Sequence, residues 1–174
     1  VRSHLGAIWS FIVWFFMYAC YLLTGISFAS LLVTGLQGYF SFNVFGLPIL
    51  QFALLTSITY LFTQTLIIFF FVGTGVSLKE FAQMHDLTED FHRRSISIKR
   101  IIYPPTLLNM VLVCTWFCLL GAVQTEAIPA WIHGVLFPLT WLHFARTIVI
   151  QHRCFRDNTQ IFYDLAELDL ETSA

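Results

Sequence analysis

From Leu5 to Gly75 the chain carries no Asp, Glu, Lys or Arg, and charges resume only at Lys79. So long an uncharged stretch cannot face water, because soluble domains coat themselves with charge at about a quarter of their residues. Across all 174 residues 57% are hydrophobic and 11% charged, and the mean hydropathy is +0.75. Lipid is therefore the expected solvent for most of the exterior.

A helix needs about 20 apolar residues to cross the hydrocarbon layer, and the chain supplies four such stretches. The first runs over 5–36, with Gly35, Gly38 and Asn43 marking its exit. The second opens at Pro48 and continues over 48–75 to Gly73-Thr74-Gly75. The third is introduced by Pro104-Pro105 and covers 104–123, and Pro129 introduces the fourth, 129–151. Proline suits the first helical turn because its missing N–H would be unpaired there in any case. The expected fold is an all-α integral membrane protein, a single domain over 1–174 built as a four-transmembrane-helix bundle. A polar loop (76–103) and a polar tail (152–174) complete it. The chain opens Val-Arg-Ser-His, and its first apolar run exceeds the roughly 7–15 residues of a signal-peptide core, so a true span is expected.

Orientation follows from the basic residues, since Lys and Arg near span ends are retained on the cytoplasmic side. Arg2, the 76–103 loop and the stretch from Arg146 to Arg156 hold all nine. Both termini and the middle loop are thus expected in the cytoplasm, with 37–47 and 124–129 outside. The bacterial inner membrane or its equivalent is the expected location. A net charge of −1 gives no basic footprint for nucleic acid, which leaves membrane lipids and other transmembrane subunits as the expected partners.

Of the four cysteines, Cys20, Cys114 and Cys118 lie in apolar runs and are expected to act as small packing residues. On the second span Thr56, Thr59, Tyr60, Thr63 and Gln64 recur at spacings of three and four, placing them on one helical face. Such a face belongs inside a bundle, where hydroxyls and amides pair between helices; the alternative is a substrate path. Cys20, Thr24 and Ser27 form a matching stripe of small residues on the first span.

The fourth span carries His133, His143 and Arg146. Neutral imidazole can ligate haem iron, so a haem b is one candidate ligand, and a quinone or an anionic lipid headgroup near Arg146 is another. The simpler expectations are a hydrogen-bonded bundle histidine and an arginine that snorkels to the interface. His133 and His143 cannot share one iron, because ten residues separate them by roughly 15 Å along a helix. In the middle loop His85, Glu89 and His92 fall at i, i+4 and i+7, a spacing compatible with a metal. A membrane-resting helix with Phe81, Met84, Leu87 and Phe91 on its apolar face explains the same residues.

Size and a histidine-bearing bundle are similar to the haem-carrying membrane anchors of succinate dehydrogenase and fumarate reductase. The paired inward histidines of those anchors have no counterpart here, and no functional residue carries over. No phosphate loop, nucleophile elbow or intramembrane carboxylate is present, so the chain by itself is not expected to be an enzyme. The leading expectation is a structural or accessory subunit of a larger membrane complex, of an electron-transport chain. A haem- or metal-binding redox protein and a small transporter are the alternatives.

Overall fold

The computed structural model describes the backbone of residues 2–84 and 90–172 and the side chains of 14–80, 91 and 93–164. Four helices account for nearly all of it: α1 (Arg2–Phe40), α2 (Ile49–Met84), α3 (Asp90–Gln124) and α4 (Ala130–Thr172). Among the described residues there is no strand. Each helix packs against its sequence neighbour, and α4 closes the ring on α1, giving an antiparallel bundle. The α1–α2 and α3–α4 turns share one end, here called the turn end; the opposite end is the terminal end.

Three segments are long and apolar enough to cross a bilayer: Trp14–Phe40, Ile49–Glu80 and Arg93–Gln124. The protein is thus a helical bundle compatible with an integral membrane location. The apolar half of α4 is interrupted by His133, His143 and Arg146 and is not among the three.

The helices run well past the expected spans. Pro104 and Pro105 do not start α3 but lie inside it, and α2 continues beyond Gly75 to Met84. Most of the segment expected to be a polar loop is consequently helical. Two prolines within a helix strip the carbonyls of Arg100 and Ile101 of their i+4 donors. Both residues are exposed, so those carbonyls lie at the bundle's surface rather than in its core. Phe91, expected on a membrane-facing helix, is instead a core residue at 8% exposure. Likewise α4 does not end near Gln151 but runs unbroken through the expected tail.

Pro138 sits within α4 and deprives the Gly134 carbonyl of its helical donor. The Tyr39 hydroxyl of α1 donates to that carbonyl instead, the kind of repair that lets prolines persist in apolar helices. Gly35 and Gly38 belong to α1 rather than to its exit turn. A Cβ at Gly35 would collide with the Phe137 ring, so this glycine permits close approach of α1 and α4. The α1–α2 connection is a tight turn with Phe45 at φ 52° and Gly46 at φ 76°, closed by Leu47 N–H donating to the Val44 carbonyl at 2.9 Å. Helix α3 ends with Glu126 at φ 57° and Ala127 N–H reaching back to the Ala122 carbonyl at 2.9 Å, a Schellman closure with Glu where glycine is the usual occupant.

Two apolar clusters fill the bundle. The terminal-end cluster contains Cys20, Ile67, Phe71, Leu78, Ile102 and Phe155. The turn-end cluster contains Leu31, Tyr60, Val113, Trp116, Phe137 and Phe144. Cys114 and Cys118 do not pack in either; they are exposed on the outer face of α3.

Candidate functional site

Between the two apolar clusters every helix contributes buried polar side chains: Thr24 and Ser27, Thr63 and Gln64, Thr106 and Asn109, Thr147 and Gln151. They form one uncharged layer near mid-bundle, and its connections define the chemistry available there. Asn109 is the hub. Its Nδ2 donates to Tyr60 Oη at 2.6 Å, and its Oδ1 lies 2.9 Å from His143 Nδ1. An amide oxygen can only accept, so His143 carries its proton on Nδ1 and leaves Nε2 as the bare nitrogen. Thr147 Oγ1 donates to the His143 carbonyl at 2.9 Å.

One turn toward the terminal end, Gln151 Nε2 donates to Gln64 Oε1 at 2.7 Å and to Thr106 Oγ1 at 3.2 Å. On the α1 side the hydroxyls of Ser27 and Thr63 meet at 3.1 Å. Thr63 spends its proton on the Thr59 carbonyl, so Ser27 is the donor in that pair. Nearer the turn end the hydroxyls of Thr34 and Thr56 meet at 3.2 Å. In an apolar medium each unpaired polar group costs several kcal/mol, which is why these groups converge on one another.

The expected polar face of α2 is thereby located residue by residue. Thr56, Tyr60, Thr63 and Gln64 are buried and bonded to other helices. Thr59 is only half-buried, and its hydroxyl returns to its own helix at the Leu55 carbonyl. The small stripe on α1 is buried as well: Cys20 0%, Thr24 7% and Ser27 0% exposed.

His133, His143 and Arg146 of α4 occupy separate surroundings. His143 is half-buried and tied to Asn109. His133 is 7% exposed and lies flat on Trp116, with ring centroids 5.1 Å apart and planes 18° from parallel; its Nε2 has no hydrogen-bond partner. Arg146 is exposed on the outside of the bundle. A further histidine outside the expected set, His152, accepts or donates through Nδ1 to the Tyr21 hydroxyl at 2.8 Å.

His85 and Glu89 lie outside the described residues, as does the side chain of His92. Among the described residues no group of three His, Cys, Asp or Glu side chains is placed to hold a metal.

Two of the cavities that border the bundle are lined by described residues. One, about 350 Å³, lies between α1 and α4 toward the terminal end, against Met17, Tyr21, His152 and Arg156. The other, about 310 Å³, lies at the turn end against Gly38, Tyr39, Trp131, His133 and Gly134. Neither is lined by Tyr60, Thr63 or Gln64.

Asn109, Thr106, Thr147 and Gln151 were not singled out by the sequence reasoning, yet they carry half of the layer. A signal existed: Thr140, Thr147, Gln151 and Asn158 repeat at intervals of seven and four along α4, and all four are buried. No family model, curated protein or solved structure matches this chain.

Proposed function

We propose that this chain is a four-span accessory subunit of a larger membrane complex, its own polar residues serving to fix the bundle rather than to carry out chemistry. The observation that supports this is the mutual pairing of the mid-bundle layer. Tyr60, Asn109 and His143, then Gln64, Gln151 and Thr106, are engaged with one another, with only Gln64 Nε2 and Gln151 Oε1 of these two groups left over, and among the described residues no buried carboxylate or cation accompanies them. A transport path is less well supported, because the polar face of α2 lines neither cavity.

On this reading α4 is the fourth span. Its polar stripe faces the layer, and the exposed Arg146 extends its guanidinium toward the headgroups. The charge distribution favours both termini on the cytoplasmic side of a bacterial inner membrane or its equivalent. The exterior offers partners large apolar contacts: Phe15, Tyr18, Leu22, Phe62, Phe69 and Trp131 are each more than half exposed. An electron-transport assembly is the class of complex that a histidine-bearing bundle suits.

Native mass spectrometry after extraction in mild detergent tests the proposal. Stoichiometric co-purification with other transmembrane chains is the expected result, and a stable lone chain under the gentlest extraction overturns it. A second reading, a redox protein, draws on His143: a fixed Nδ1–H and a bare Nε2 is how outer-shell partners prepare a ligating histidine. A Soret band in the purified chain that is lost in His143→Ala would replace the first reading with the second.

A further inference from the structure

The terminal-end cavity, about 350 Å³ between α1 and α4, sits where both helices pass from apolar to polar sequence. On α1 it is lined by Trp14, Met17 and Tyr21, and Trp14 opens the apolar segment Trp14–Phe40. On α4 its lining begins at His152, just beyond the apolar run that ends at Ile150. Trp and Tyr favour this level, because their rings rest in hydrocarbon while their polar atoms reach the headgroups; Trp14, Tyr21 and Tyr163 all border the cavity. Toward the bilayer centre Leu22 and Val149 are each more than half exposed, an apolar continuation suited to acyl chains.

The inner side and the rim differ in polarity. Met17 and Thr159, which touch through Sδ and Oγ1 at 3.9 Å, close the inner side. The rim is cationic. Arg156 lines the cavity with its side chain 74% exposed, and its Nε lies 3.5 Å from Asp157 Oδ1, the next residue on the same helix. Its two terminal nitrogens bond no described residue. Arg153 is exposed one turn away. His152, also exposed, is oriented by the Tyr21 hydroxyl at Nδ1, so its Nε2 edge is left over. No Asp or Glu lines the cavity, and the nearby Asp164 is held by Arg94 of α3 at 2.7 Å.

We propose that this cavity seats the headgroup of an anionic phospholipid, with the Arg156 guanidinium on its phosphate, His152 beside it, and Trp14 and Tyr21 against the glycerol. A guanidinium fork matches two phosphate oxygens at once, and basic clefts between spans on the cytoplasmic side suit such headgroups. Arg153 and Arg156 against Asp157 leave an excess of positive charge at the rim, which the ammonium of a zwitterionic headgroup would oppose. The assignment rests on α4 crossing the bilayer as proposed above, but not on assembly with partners, since every lining residue belongs to this chain.

Photocrosslinking of the full chain in phosphatidylcholine nanodiscs tests the assignment, with two probes at equal mole fraction: phosphatidylglycerol and phosphatidylcholine, each carrying a diazirine near the glycerol. The phosphatidylglycerol probe is expected to label 14–21 and 152–163 about fivefold more than the other, the equivalent of about 1 kcal/mol for a basic residue near an anionic surface. Unlabelled phosphatidylglycerol should displace it. Arg156→Gln, a change at an exposed position, should erase the preference; Arg100→Gln, which removes an exposed cation of α3 outside the cavity, should keep it. Equal labelling by the two probes, a preference that survives Arg156→Gln or is lost equally in Arg100→Gln, or displacement by soluble glycerol 3-phosphate as effective as by the lipid would each overturn the proposal. Failure of an acyl-terminal diazirine to label 130–151 would overturn the fourth span together with the site, whereas loss of the headgroup preference alone overturns only the site.

Discussion

The two ends of the bundle differ in the polar contacts that accompany their apolar packing. Toward the turn end, helices are tied by uncharged hydrogen bonds and by backbone repair: Tyr60 with Asn109 and His143, Thr34 with Thr56, and Tyr39 on the carbonyl that Pro138 vacates. Toward the terminal end the aromatic packing of Phe70, Phe71 and Phe155, matched at the turn end by Tyr60 on Phe144 and Trp116 on Phe137, is joined by a surface ion pair, Arg94 to Asp164 at 2.7 Å. The medium bears only on the ion pair: Phe70 and Phe71 lie in the same apolar segment as Tyr60, whereas Arg94 and Asp164 are partly exposed, where water and salt weaken a charge pair.

The comparison can be broken most decisively at Asn109. Replacing it by Leu strands two groups at once, the Tyr60 hydroxyl and the His143 Nδ1–H, and should destabilise the bundle by about 3 kcal/mol, read from reversible unfolding in mixed detergent. A loss below about 0.5 kcal/mol, the scale of an average interhelical bond in lipid, would mean the hub is dispensable.

A smaller effect is expected at the repaired carbonyl. Tyr39→Phe should cost about 1 kcal/mol in the native background and almost nothing alongside Pro138→Ala, which restores the helical donor. An equal cost in both backgrounds would show that the hydroxyl acts through something other than the Gly134 carbonyl.

The smallest effect belongs to the terminal end. Bonds from the Gln160 amide and from Arg94 hold the Asp164 carboxyl below its usual value. A depressed folded value means that its contribution is present above the ordinary carboxylate range and is lost as the pH falls through the lower, folded value. Both partners are partly exposed, so the contribution is modest and screened by salt. Asp164→Asn should flatten the acid limb of the stability profile by lowering stability slightly at neutral pH and leaving it unchanged below the folded value, whereas the loss caused by Asn109→Leu should be insensitive to salt.

The apolar periodicity and the inner face of α2 were legible because helical spacing alone puts Thr56, Tyr60, Thr63 and Gln64 on one side. Helix ends were not. Pro104 and Pro105 look like a start signal, and only packing of Phe91, Ile98 and Ile102 into the terminal cluster shows why the helix forms ahead of them. Asn109 escaped notice for a related reason: a lone asparagine in an apolar run has no partner visible along its own helix.

What the sequence by itself determined was the all-helical class and the apolar segments compatible with a membrane location, since the stretch from Leu5 to Gly75 carries no charge. What the tertiary structure decided was the pairing. It set Asn109 between Tyr60 and His143, engaged Gln151 with Gln64, and laid His133 flat on Trp116. Helical period assigns a residue to a face; only the packing of four helices fixes which faces meet, and at what height.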